Sequence, residues 1–449
     1  VYRLLKAGRF KRVLFVVDRS ALGEQATGAL KEVKVDQLKT FAEIFDLKGM
    51  DAAEPESATK LHVATIQAMV KRVLFSEDAP PPVDTYDCIV VDECHRGYLL
   101  DREMSDAELS FRDEVDYISK YRRVLEHFDA VKVGLTATPA LHTREIFGDP
   151  VYAYTYPEAV IDGYLVDHEP PVRIVTALSR DGITWKAGEE VATYSPRTRK
   201  EQLWLLPDEV NVDVEGFNRR VVTENFNRAV CTELVKHIDP DGPEKTLVFC
   251  VNDRHADLFE RVLKDEFRGY LGAVRDDAVK KITGNTDRPL ELIRRLKNVD
   301  LLTTGIDVPA ITNLVFLRRV RSRILYEQML GRATRLCPEI GKEVFRIYDA
   351  VDLYSAISNM SDMKPVATTR TTTFAQLAEE LATLSDGEAR ETVLGELFAK
   401  FARKKRHLEG EAAEKFEQLA GVAPDALVAT LRAGTVEEAA RFFVHRPDL

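Results

Sequence analysis

Short apolar runs that stop abruptly at polar, chemistry-bearing residues alternate with helical patterns, and the alternation occurs twice along the chain. Continuous Val- and Ile-rich runs mark strands buried on both faces, and such strands separated by helices assemble into parallel sheets of the α/β class. Strands are expected at Val13–Val17, Cys88–Val91, Val131–Gly134, Thr246–Cys250, Leu314–Leu317 and Val344–Tyr348. Helices are expected at Ala21–Glu32, Val115–His127, Phe217–His237, Asp253–Phe267 and Ser322–Thr334. The first α/β block is read as residues 1–150 and the second as 216–360. Residues 151–215, rich in Pro, Tyr and charge, read as a connector with some strand character, and 365–449 as a helical region entered through TTRTTT.

With 449 residues, 45% of them hydrophobic, the chain holds enough apolar material for two to four cores. Its 63 basic and 74 acidic residues leave a net charge of −11, which excludes nucleic-acid binding by bulk charge and requires a local basic surface for any DNA contact. Five scattered cysteines form no CxxC pair, so a zinc ribbon is not expected; four of the five sit in apolar or motif segments and read as small buried hydrophobes, in a reducing, cytoplasmic setting. No apolar run reaches the roughly 18 residues of a membrane span. The chain opens at Val1 on a helix-like VYRLLKAG, as though inside a domain.

Four motifs carry chemistry. CIVVDECH (Cys88 to His95) is an apolar strand ending in two carboxylates. At a nucleotide site Asp92 would hold Mg²⁺ and Glu93 would polarise the attacking water; the bland alternative is an acidic turn. GLTATP (Gly134 to Pro139) sets the Thr136 and Thr138 hydroxyls beside those carboxylates, or is simply a Thr-rich turn. In YEQMLGRATR, Gln328, Arg332 and Arg335 share one face if the helix continues through them, and two arginines there suit phosphate recognition. Gly331, unfavourable inside a helix, points to close approach of a partner surface. In TTGIDVP, Gly305 permits backbone approach and Asp307 suits a ribose or an arginine; alone it is an ordinary turn.

The order and spacing of these motifs resemble helicase superfamily 2, DEAD/DEAH-like. The resemblance implies two RecA-like parallel-sheet domains in tandem, with ATP between them and nucleic acid across their tops. It assigns Asp92 and Glu93 to the Walker B pair, His95 to the coupling histidine, Thr136 and Thr138 to motif III, Gly305 and Asp307 to motif V, and Gln328, Arg332 and Arg335 to motif VI. VLFVVDR, with Arg19, is similar to motif Ia, and VATIQAM, with Thr65 and Gln67, to motif Ib. Three long segments are similar to the restriction (R) subunits of type I restriction-modification enzymes: the run from Leu135 through HEPP, FNRAVCTELVKHIDPDGPEKTLVFCVNDRHAD, and LLTTGIDVPAITNLVFLRRVRSRILYEQMLGRATRLCPEIGKEVFRIYDAVDLY. That family resemblance implies ATP- and Mg²⁺-dependent pumping of double-stranded DNA, assembly with methyltransferase and specificity subunits, and a nuclease domain upstream.

No GxxxxGK[ST] segment occurs in the chain, so a fragment, inactive alone, is expected. The short interval between the Leu290–Asn298 helix pattern and TTGID suggests missing residues at Asn298–Val299. Arg318, Arg319, Arg321 and Arg323 form a basic cluster beside motif VI and are candidate DNA contacts. ARKKRH (Ala402 to His407) reads chiefly as a solvated helix face. Alternative readings are another superfamily 2 DNA or RNA helicase, and a DNA-binding scaffold without turnover.

Overall fold

The structure is a computed structural model. It describes the chain except residues 19, 53, 77–78, 98–113, 139–140, 177–182, 186–189, 196–199, 206–209, 213–223, 283–307, 321, 368–371 and 447–449. Arg19, Gly305, Asp307, Arg321 and the Asn298–Val299 junction lie outside the described residues. The chain divides into two compact units, Val1–Ala153 and Tyr154–Leu449.

The first unit is built on a five-stranded parallel sheet, in the order Leu47–Lys48, Leu61–Thr65, Val13–Val17, Cys88–Val91, Val131–Gly134. Alternation along the strands sends side chains to both faces, and both are buried. Leu14, Val16, Ala64, Ile89 and Val91 pack with Met69, Tyr121, Val124 and Phe128 from helices Ile66–Leu74 and Glu114–His127 and the residue following the latter. Val13, Leu61, Val63, Cys88 and Val90 meet Leu5 and Phe41 on the other side. Gly134 closes the edge strand where a Cβ would stand 2.8 Å from the Cys94 sulfur and 2.9 Å from the Phe147 ring, so a larger residue forces the 94 and 147 segments apart.

The second unit carries Lys245–Phe249, Ile311–Phe316 and Val344–Asp349 as neighbouring parallel strands. Every residue of the Ile311–Phe316 strand is buried, as a central strand requires. Two short strands from the stretch read as a connector, Asp167–His168 and Val172–Arg173, also pair in parallel with Val344–Asp349. Residues 167–173 therefore belong to the second sheet; two-residue polar strands carry no periodicity by which to find them. Later in that stretch, Glu190–Ser195 pairs antiparallel with Lys200–Leu205, and Ile183–Trp185 with Val210–Val212.

Helices Phe374–Thr383, Gly387–Lys404, Glu411–Ala420, Pro424–Arg432 and Val436–Val444 follow, closing around Leu377, Leu397, Phe398, Leu427 and Phe443. Thr373 and Thr435 open two of them with capping boxes completed by Gln376 and Glu438. ARKKRH does not form a uniform solvated face. The helix ends at Lys404, Arg403 is bonded inside to Asp167, and His407 reaches Glu343. No helix among the described residues is long and apolar enough to cross a membrane.

His62, fully buried in the first sheet, lies 3.2 Å from the Ala52 carbonyl through Nε2 and 2.6 Å from the Tyr86 hydroxyl through Nδ1. A carbonyl only accepts, so Nε2 carries the proton and Nδ1 accepts from the tyrosine. Burial, reinforced by the Arg72 charge, lowers the His62 pKa to about 4. The unfolded chain binds that proton near pH 6.5, so protonation favours unfolding. The stabilisation is complete above pH 6.5 and is lost as pH falls toward 4. Between pH 7 and pH 5 His62 should cost the first unit about 2 kcal/mol. Urea unfolding at the two pH values checks this: the midpoint should drop on acidification, and drop less in His62→Gln.

Candidate active site

Because the first sheet is parallel, its strands end on one edge, where ligands of α/β folds gather. Thr65 ends one strand, Asp92 and Glu93 follow the next but one, and Thr136 follows the outermost. The Asp92 amide donates to the Val16 carbonyl at 2.9 Å, and the Leu135 amide to the Val91 carbonyl at 2.9 Å, so pairing continues to the start of the acidic turn. The Cys94 amide then donates to the Leu135 carbonyl at 3.0 Å, tying the turn to the segment that carries the threonines.

Glu93 stands in the left-handed region at φ 49°, a conformation a non-glycine residue rarely holds. This turn takes the chain from the strand into a short 3₁₀ helix, Cys94–Gly97. The Glu93 side chain is one-third exposed and its carboxylate lies 3.3 Å from Nδ1 of His95, which is fully buried. The same nitrogen lies 2.7 Å from the Thr136 hydroxyl and 3.4 Å from that of Thr138. Thr136 Oγ1 already accepts the Thr138 amide at 3.0 Å, and the Glu93 carboxylate can only accept. The carboxylate facing Nδ1 favours the tautomer that carries the proton there, while the Thr136 hydroxyl suits either tautomer. His95 holds Glu93 and Thr136 at once, joining two of the sequence motifs. Cys94 beside it is a packing residue: burial pushes its thiol up to about 12.

Asp92 is half-buried, and its Oδ1 accepts the Glu93 amide at 3.0 Å. A carboxylate at a strand end suits Mg²⁺, which takes one or two carboxylates and keeps its other positions for phosphate and water. Among the described residues no group of three or more His, Cys, Asp or Glu side chains forms a metal cage. Thr65 caps helix Ile66–Leu74 by accepting the Ala68 amide at 3.2 Å, and Gln67 is exposed in its first turn.

In the second unit, helix Arg323–Gly331 ends sooner than the sequence pattern suggests. Gln328 lies within it, Arg332 is its C-cap, and Arg335 is exposed in the bend beyond. The three residues therefore do not share one continuous helix face; the arginines are presented by a turn. Gly331 is the last helical residue, and among the described residues of this chain a Cβ there would meet nothing within 4 Å.

The basic cluster is partly engaged within the fold. Arg319 Nε donates to the Val351 carbonyl at 2.6 Å, and Arg323 reaches Asp362 at 3.0 Å and Glu327 at 3.6 Å. Arg318 is half-buried. Sequence patterns missed Asp349, which ends its strand and accepts the amides of Val351, Leu353 and Tyr354. Its position at the end of the apolar run VFRIYD was the available signal.

The His95–Thr136 bond is open to direct test. Thr136→Val removes the hydroxyl paired with a buried ring nitrogen and should lower the stability of the first unit by about 1–3 kcal/mol in urea unfolding. Thr136→Ser should keep most of it.

Residues 1–141 match the family model described as type III restriction enzyme, res subunit. The type I restriction enzyme EcoKI endonuclease subunit of Escherichia coli (strain K12) is 52% identical over 379 residues, which are 82% of this chain and 32% of that protein. The EcoAI endonuclease subunit of Escherichia coli is 27% identical over 371 residues, 78% of this chain and 41% of that one. A solved fragment described as the HsdR subunit of a type I restriction enzyme from Vibrio vulnificus YJ016 superposes with a TM-score of 0.48 at 22% identity, covering 79% of this chain and 56% of that one. The chain thus spans 32% and 41% of the length of these two curated relatives. Over the residues matched, it belongs to the family of type I restriction enzyme endonuclease subunits, with a helicase-like domain at its start.

Proposed function

We propose that this chain is the ATP-driven motor of a type I restriction endonuclease R subunit, and that it moves double-stranded DNA. The observation that carries the reading is the Asp92–Glu93 turn at the end of a central parallel strand, with Glu93 held in a left-handed backbone and bonded through His95 to Thr136. A carboxylate kept in an unfavourable conformation by buried partners is characteristic of a functional position.

Mg²⁺, bound with the nucleotide, neutralises charge on the phosphates. Asp92 would hold it. Glu93 orients and polarises water, its direction fixed by His95. Arg332 and Arg335 are the phosphate-facing arginines, and Gln328, Gly305 and Asp307 complete the nucleotide contacts. His95 and Thr136 pass the state of the carboxylate turn to the neighbouring strand. Thr65, Gln67 and Arg19 contact the DNA backbone, with Arg318 and Arg321 as further candidates. Arg319 and Arg323 serve first to brace the loop that carries them. Methyltransferase and specificity subunits would be the partners of the full-length protein, and the cytoplasm its setting.

Two measurements on the full-length protein test this. Double-stranded DNA should stimulate ATP hydrolysis more than single-stranded DNA or RNA; the reverse order assigns a different helicase activity, and no hydrolysis with any of them leaves a binding scaffold. Glu93→Gln should bind ATP normally yet lose DNA-stimulated hydrolysis by about 10²–10⁴-fold. Undiminished turnover in that variant removes Glu93 from the chemistry.

A further inference from the structure

Asp167 opens the first of the two short strands of the second unit, Asp167–His168, and its side chain is completely buried. Its carboxylate is a junction. Oδ1 accepts the His168 amide at 2.9 Å and the Val366 amide at 3.1 Å. Oδ2 accepts the Ala367 amide at 2.9 Å and Arg403 Nη2 at 2.7 Å. Arg403 stands in the last turn of helix Gly387–Lys404, where a cation also suits the helix dipole. One buried charge therefore binds the edge of the second sheet, the segment leading to the C-terminal helices, and the last turn of the longest of those helices.

The junction adjoins the arginine turn. The Val166 amide donates to the Thr334 carbonyl at 2.8 Å, and Thr334 lies between Arg332 and Arg335. A second buried carboxylate grips the same segment from the arginine helix itself. Glu327 Oε1 accepts the Ser361 hydroxyl and the Asp362 amide, each at 3.0 Å. Residues 361–367 are thus held at two points, by Glu327 and by Asp167. A small core of Tyr156, Val160 and Ala399 seals the region, and Arg432 reaches across to Asp162 at 2.7 Å. Buried carboxylates that each accept several donors fix geometry, because displacement strands a charge without those donors.

We infer that Asp167, with Glu327, is a positioning residue that clamps the C-terminal helical region to the Arg332–Arg335 turn, so that the helices move as one lever with the arginines. This rests on the motor reading above. The clamp transmits rather than catalyses: a shift of the arginine turn on nucleotide binding or release carries the sheet edge, residues 361–367 and helix Gly387–Lys404 with it.

The test uses the full-length chain assembled with its partner subunits and compares ATP hydrolysed with duplex DNA moved, the latter read by displacement of a fluorescent third strand. Arg403→Met should leave DNA-stimulated hydrolysis within about twofold while DNA moved per ATP falls about fivefold or more, the low end of coupling between sites. Arg403→Lys, which keeps the charge, should restore at least half the loss. Asp167→Asn should behave as Arg403→Met. Since Asp167→Asn can also weaken folding, amide exchange of the wild type supplies a second reading. A non-hydrolysable ATP analogue should change exchange at 361–367 together with 332–335. Parallel loss of both activities, failure of Lys to rescue, or an exchange response confined to 332–335 overturns the clamp. A wild type that hydrolyses no ATP overturns the motor reading instead, and the clamp falls with it.

Discussion

Parallel pairing of the first sheet is the constraint on which the candidate site depends. Val13–Val17 is hydrogen-bonded on both sides, to Leu61–Thr65 and to Cys88–Val91, with Val13 opposite Leu61 and Cys88. Strands running in one direction must deliver their ends to one edge. Burial of both faces leaves polar side chains room chiefly at those ends. The opposite edge is closed by Arg12, whose guanidinium donates to the carbonyls of Thr59, Thr85 and Glu56. Loops on that side are fastened to the sheet, while the other side carries Asp92, Glu93, Thr65 and Thr136 at or just beyond the strand ends.

Much of this was legible because apolar runs have a physical meaning at short range. Val13–Val17, Cys88–Val91 and Val131–Gly134 form the strands their composition announces, and the second sheet follows its three apolar runs to within a few residues. The polar residues just after each run could be named as candidates for the same reason. What stayed hidden depends on distant partners. Asp167–His168 is too short and too polar to show a period, and only pairing with Val344 and Phe345 makes it a strand. The end of the arginine helix at Gly331 was obscured because helix-compatible residues continue past it. That Arg319 and Arg323 are occupied by Val351 and Asp362 could not be read from a local cluster of like charge.

Charge is used inward in this chain more than its composition suggests. The net charge of −11 describes the surface field, but several of its most basic stretches are turned to structural work. ARKKRH supplies Arg403 to Asp167, Lys405 to Asp425 and His407 to Glu343. Arg403 and His407 thus tie the helical region to the second sheet and the residue entering its Val344–Asp349 strand, while Lys405 joins two parts of the helical region itself. Exposed pairs of this sort contribute little individually, whereas the buried Asp167 pair fixes position.

Glu93 has a consequence for how tolerant this fold is to change. Its left-handed backbone stores strain on the order of 1–3 kcal/mol, which glycine would relieve. A search for thermostable variants would therefore favour glycine or asparagine at 93, and each such gain would delete the carboxylate facing His95. On the proposed motor reading, robustness and turnover pull this one position in opposite directions, and a population selected for endurance alone would drift toward a firmer, silent protein.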